Sequence, residues 1–182
     1  PNAVDRAWEG LASEENTQAQ LLNRASQGLY PPGSVFKTVT LLQYIREHPD
    51  DYEQYRFECT GVFQYEGYAI RCYHGNAHGS QNLSQAYANS CNGAFASMGL
   101  ELDLRGLGRT AGELLFNRDQ PLSMAYSRSR FTLEEGDGDW QVLQTSIGQG
   151  LTLTTPMHIT MITAAVANKG VLMNPHLIDS VE

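Results

Sequence analysis

The sequence predicts a mainly α domain, and three observations carry that prediction. Apolar residues recur at helical spacing in several separate stretches of the 182-residue chain. Gly, Pro and helix-capping residue types stand at the ends of those stretches. Strand-like segments are confined to short pieces between residues 50 and 82 and to Leu172 to Val181 near the end.

Taken in order, residues 1–30 read as interrupted helix, with Val4, Ala7, Trp8 and Leu11 at helical spacing and a shorter run from Ala19 to Ala25. Tyr30-Pro31-Pro32-Gly33 ends it, because each proline fixes φ and pushes its predecessor to extended geometry. A helix is then expected from Ser34, a capping residue type, to Glu47, where His48-Pro49 stops it. Residues 50–82 show no helical period; Arg56 to Cys59 and Tyr68 to Tyr73 read as short strands or loop. Leu83 to Leu100 is helical on both sides of a polar interruption, Asn89-Ser90-Cys91-Asn92-Gly93. Arg105 to Phe116 is helical, and Asp119 to Gly138 is a polar loop. Asp139 is placed to cap a short helix through Thr145, which Gly148-Gln149-Gly150 breaks. Pro156 opens a last helix to about Asn168, ended by Gly170, and Leu172 to Val181 reads as extended. There is no internal repeat.

With 41% hydrophobic and 18% charged residues, the chain has the composition of a globular protein. Its 20 acidic against 12 basic residues give a net charge of -8. That argues against a nucleic-acid partner, whose phosphates reward a basic face, and against a polybasic membrane contact. The longest apolar stretch, Leu151 to Val166, is broken by Thr, His and Pro and falls short of a membrane span. Starting at Pro1 and stopping at Glu182, the chain is expected to be a single, partial domain spanning 1–182 of something longer.

The chemistry starts from lysine, because the chain has only Lys37 and Lys169. Lys37 lies three residues after Ser34 in the first turn of the helix behind Pro-Pro-Gly. Residues three apart share a helix face, so the amine can reach the hydroxyl. A neutral Lys can serve a Ser nucleophile as its base, but only burial or a second cation brings an amine that far down. The local sequence leaves another reading open, a helix cap followed by a solvent-facing Lys. A second polar group bears on this choice: Ser90-Cys91-Asn92 interrupts the apolar stretch Ala86 to Met98, where polar groups need partners. Ser80-Gln81-Asn82 has matching letters, but capping of the helix at Leu83 accounts for it.

Tyr30-Pro31-Pro32-Gly33-Ser34-Val35-Phe36-Lys37 resembles the Ser-x-x-Lys segment of penicillin-binding proteins, and Ser90-Cys91-Asn92 resembles their Ser-x-Asn motif. Asn23-Arg24-Ala25, His78-Gly79, Ile147-Gly148-Gln149-Gly150 with Thr155-Pro156-Met157, and Ala164 to Gly170 ahead of Pro175 are similar to transpeptidase domains of the monofunctional class. The resemblance implies an extracytoplasmic domain of a membrane-anchored parent. That parent would be a D,D-transpeptidase acting on peptidoglycan stem peptides and acylated by β-lactams, with no cofactor. It implies Ser34 as nucleophile, Lys37 as proton acceptor, Ser90 as proton relay, Asn92 with Cys91 at the substrate, and the Ser34 N–H as half of an oxyanion hole. A non-catalytic β-lactam sensor or interaction domain of the same fold is the alternative.

The third motif, Lys-Thr-Gly, is absent from the chain. The resemblance therefore implies the helical portion of the penicillin-binding protein/serine β-lactamase-like fold, lacking most of its central antiparallel sheet. An uncovered apolar face, a less buried Lys37 and an inactive isolated fragment are expected to follow. Glu134-Glu135-Gly136-Asp137-Gly138 is not the Glu-x-x-Leu-Asn context of a class A β-lactamase, and a class D enzyme would lack Asn92. In an extracytoplasmic domain Cys59 and Cys72 could be bridged; two reduced thiols is the other reading. Cys72-Tyr73-His74 with His78, completed by Cys59, has ligand residue types but matches no zinc pattern, so no metal is expected. Gly106-Leu107-Gly108 with Gly112 is not a dinucleotide loop, because no strand precedes it.

Overall fold

A computed structural model describes residues 21–176 together with Trp8, Gly10 and Ser13; Val4, Ala7, Leu11 and the second half of the C-terminal segment lie outside the described residues. Residues 21–27 form turns where the second early helical run was expected, and residues 172–176 pair in no strand. The chain enters through Tyr30, which pairs with Thr154 in an antiparallel bridge (N···O 2.9 and 2.8 Å). Pro31 and Pro32 then turn it into a 3-10 turn, Gly33–Phe36, that runs straight into helix α1, Lys37–Glu47. Ser34 therefore does not cap a helix: no side chain caps this turn, and the serine sits inside it. Gly33 adopts φ +60°, a conformation that suits Gly, and its N–H donates to the Gly148 carbonyl at 2.8 Å.

Four strands of four residues follow: β1 Arg56–Cys59, β2 Val62–Tyr65, β3 Tyr68–Arg71 and β4 Gly79–Asn82. β2 and β3 form a hairpin over Glu66-Gly67, both at positive φ, as a tight two-residue turn requires. β1 pairs antiparallel with β4, Cys59 opposite Gly79. Tyr68 starts a strand, as the sequence suggests, but the strand stops at Arg71. β2 and β4 escape sequence reading; Gly-Ser-Gln-Asn has no apolar alternation, and its pairing comes from β1.

Helix α2, Leu83–Ala88, starts at a capping box in which Asn82 accepts from the Gln85 N–H and the Gln85 side chain accepts from the Asn82 N–H. Helix α3, Asn92–Glu101, is the centre of the molecule, with Ala94, Phe95, Ala96 and Met98 inaccessible. Being apolar on all sides, it is wrapped by α1, by β1 to β3 and by α5, Asp139–Ser146. α3 and α5 approach closely because position 99 is Gly: a Cβ there would fall 1.8 Å from Ser146 Oγ. Helix α4, Leu104–Glu113, is capped by Asp103 and ends before the expected Phe116. Phe116 instead turns inward to meet Phe36 edge-on at 5.7 Å, and Phe131 stacks on Phe36 at 6.0 Å. In α5 Gly138 is the cap and Asp139 the first helical residue, where its charge favours the helix start.

Helix α6, Pro156–Ala167, has Pro in its first turn and Thr155 capping the His158 N–H. His158 is fully buried; its Nε2 donates to the Leu114 carbonyl at 2.6 Å and its Nδ1 accepts from Ser129 Oγ at 2.7 Å. Val166 on α6 and Val171 and Met173 after it are exposed. Among the described residues, no helix is long and apolar enough to cross a membrane.

Candidate active site

The site is assembled from two backbone turns. The first places Ser34 on the exposed edge of the 3-10 turn and Lys37 one turn deeper, only 1% exposed. The second is the end of α2. Ser90 N–H donates to Tyr87 O and Cys91 N–H to Ala86 O, both at 2.9 Å, which closes the helix in a Schellman-type turn. Such a turn needs a left-handed residue at its apex, usually Gly. Here Ser90 occupies it at φ +50°. Backbone strain of this kind collects at functional positions. Asn92 then begins α3, with Cys91 as its cap.

These turns converge on one nitrogen. Lys37 Nζ lies 3.3 Å from Ser34 Oγ, 2.8 Å from Ser90 Oγ, 2.7 Å from the Ser90 carbonyl and 2.6 Å from Asn92 Oδ1. The solvent-facing reading of Lys37 is thereby overturned. So is the expectation that it would be less buried without a sheet beside it: the Ser90–Asn92 corner and the Phe95 ring, 5.7 Å away, enclose the amine. Burial brings Lys37 down to about 8, against the opposing pull of the Cys91 and Cys72 thiols.

Hydrogen-bond accounting then says what this amine can do. The Ser90 carbonyl and Asn92 Oδ1 can only accept, so they use both N–H groups of a neutral amine. Its lone pair is left for a hydroxyl proton, from Ser34 or from Ser90. Asn92 is oriented from its other end, where Nδ2 donates to the Arg71 carbonyl at 2.8 Å. One amide hydrogen remains for a ligand.

A cleft of about 350 Å³ opens beside these groups, lined by Ser34, Lys37 and Ser90 on one side and by Tyr87, Ile159 and Val166 on the other. Tyr87 is braced by a 2.8 Å hydrogen bond to Thr38 Oγ1. Its place in the wall could not be read from the sequence, where it is one aromatic among nine tyrosines.

The Cys91 side chain does not face this cleft, which corrects its assignment to the substrate. It is fully buried, accepts from the Ala94 N–H and lies with its sulfur 3.8 Å from that of Cys72. Burial holds its thiol well above the ordinary range, so as a free thiol it is no nucleophile. Cys59 and Cys72 are not bridged; their sulfurs are 3.7 Å apart.

The profile of the penicillin binding protein transpeptidase domain matches residues 6–182. The chain is 30% identical over its whole length to peptidoglycan D,D-transpeptidase PbpA of Mycobacterium tuberculosis, of which it covers 37%. Its fold superposes on penicillin-binding protein A of M. tuberculosis, solved as an imipenem acyl-enzyme complex, with a TM-score of 0.80 at 25% identity, covering 97% of this chain and 40% of that one. The D,D-transpeptidase domain of a peptidoglycan glycosyltransferase from Eggerthella lenta gives 0.80 at 26% identity, covering 98% of this chain and 45% of that one. The chain thus spans less than half the length of these relatives. With a profile match over nearly every residue and the Ser-x-x-Lys and Ser-x-Asn segments meeting at one buried amine, the chain belongs to the penicillin-binding protein transpeptidase family.

Proposed function

We propose that this chain is the helical, motif-bearing part of a peptidoglycan D,D-transpeptidase domain, the remaining sheet and third motif belonging to a longer parent. The carrying observation is the set of four contacts from Lys37 Nζ to Ser34, Ser90 and Asn92. Neutral Lys37 takes the Ser34 proton as Ser34 Oγ attacks the penultimate D-alanyl carbonyl of a stem peptide. The tetrahedral oxyanion is met by the Ser34 N–H. As the C–N bond breaks, the proton passes through Ser90 to the departing D-alanine amine. The acyl-serine is then attacked by the amine of a neighbouring strand, whose proton returns along the same path to Ser34. Asn92 holds the amine by Oδ1 and offers its remaining amide hydrogen to the substrate.

β-Lactams enter this reaction as substrate mimics whose opened ring stays on Ser34, in line with the acyl-enzyme complex of the mycobacterial relative. The parent is extracytoplasmic and membrane-anchored in this reading. The fragment alone acylates very slowly, because the second oxyanion donor and the wall that holds the substrate carboxylate lie on the missing sheet.

Fluorescent penicillin tests the reading. Full-length parent is expected to label stoichiometrically, Ser34→Ala to lose the label, and the isolated chain to label hardly at all. A wild-type parent that takes no label would make this a non-catalytic domain of the same fold.

A further inference from the structure

Behind the catalytic corner, away from the cleft, four segments bring together side chains that the proposed reaction does not use. Cys59 ends β1, Cys72 follows β3, His78 precedes β4 and Cys91 caps α3. In sequence they are separated by 12, 5 and 12 residues, so no two ligands form the short-spaced pair by which zinc motifs are recognised. In space the three Sγ atoms and a ligand nitrogen of His78 all lie within 4.8 Å of one another. Among the described residues no other group of His, Cys, Asp or Glu gathers in this way.

The separations are those of a coordination polyhedron. Sulfurs bound to one tetrahedral zinc at about 2.3 Å stand about 3.8 Å from each other. Here Cys59 to Cys72 is 3.7 Å and Cys72 to Cys91 is 3.8 Å. His78 Nδ1 is 3.3 Å from Cys59 Sγ, turned into the sulfur group. All three cysteines are buried and unbridged, while His78 is half-buried. A buried Cys is ordinarily a small apolar side chain, which accounts for each thiol singly. It does not account for three sulfurs and an imidazole nitrogen facing a common centre. His74, the nearer histidine in sequence to Cys72, stays outside the group and packs on Tyr73 instead.

We propose that Cys59, Cys72, His78 and Cys91 form a tetrahedral Cys3His site for one zinc ion, contrary to the metal-free expectation from sequence. Thiolate-rich tetrahedral donors select zinc over magnesium or calcium, which take oxygen ligands. Binding releases the three thiol protons to solvent. The ion ties both two-stranded sheets to the start of α3. Because Cys91 lies between Ser90 and Asn92, it also anchors the strained turn that holds Lys37. Its role in any reaction is therefore positional.

The test is made on the full chain purified with thiols reduced and without chelator. Elemental analysis is expected to find about one zinc per chain. Cobalt(II) added to apoprotein is expected to give the intense visible bands of a tetrahedral site and a thiolate-to-cobalt charge-transfer band, saturating at one equivalent. Cys59→Ser and Cys72→Ser should each weaken cobalt binding by at least about 100-fold, since even outer-shell partners of a metal are worth about 10–100-fold. Wild-type chain without zinc and without a charge-transfer band overturns the proposal, as does a band that survives both substitutions. Peptide mapping that finds two of these cysteines joined as a disulfide overturns it too. The wild-type titration needs no variant to fold, and none of these readouts depends on penicillin labelling.

Discussion

Lys37 and Ser90 show how single residues set the chemistry here. Lys37 is lowered to about 8 mainly by burial, and its neutral form is the base. The rate of penicillin acylation of the full-length parent is therefore expected to rise with pH and level off above about 8. A flat profile between pH 6 and 9 would mean that the amine takes no proton. Ser90 carries two loads at once, a left-handed turn and a hydroxyl. Replacing it with Gly relieves roughly 1 kcal/mol of backbone strain. The same change removes the relay, which is expected to slow acylation by about 10²–10⁴-fold. A Ser90→Gly protein that melts no lower than wild type yet acylates slowly would separate the two loads. Equal loss of both would show that the hydroxyl serves the fold.

Between elements, the decisive contact is backbone on backbone. The segment after α5 is pressed onto the turn that carries Ser34. A Cβ on Gly148, at φ +77°, would lie 1.8 Å from the Gly33 carbonyl oxygen. Gly148→Ala is expected to cost about 2–4 kcal/mol in chemical denaturation and to slow acylation, since Ser34 follows Gly33 directly. Gly136 provides the control. It has φ +92° but open space around its Cβ position, so Gly136→Ala should cost only about 1 kcal/mol. Comparable losses at the two sites would show that the contact, as distinct from the φ value, contributes nothing.

For the molecule as a whole, the buried His158 links the end of α4 to the loop containing Ser129 and to Thr154. Burial lowers its pKa below the ordinary 6.5. The unfolded chain therefore binds the proton first as pH falls, and stability drops below about pH 6.5 by up to roughly 1.4 kcal/mol per pH unit. Denaturation midpoints at pH 7.5 and 5.5 are expected to differ in that direction, and His158→Gln to reduce the difference. An unchanged slope in that variant would place the proton elsewhere.

Most local signals were legible, the caps expected at Ser34 and Asp139 excepted, and the long-range ones were not. The helical start behind Pro31-Pro32-Gly33, the helix stop at His48-Pro49, the Asn82 cap and the polar break at Ser90-Cys91-Asn92 follow from the conformational limits of Pro, Gly and capping side chains, which act within a few residues. Those limits, with one Lys a turn behind one Ser, were enough to mark both halves of the site. Strands β2 and β4, the inward Phe116, the full burial of Lys37 and the meeting of Cys59, Cys72, His78 and Cys91 depend on segments that touch across the fold. A residue's partners there are chosen by the packing of α3 and its neighbours, which spacing along the chain does not encode.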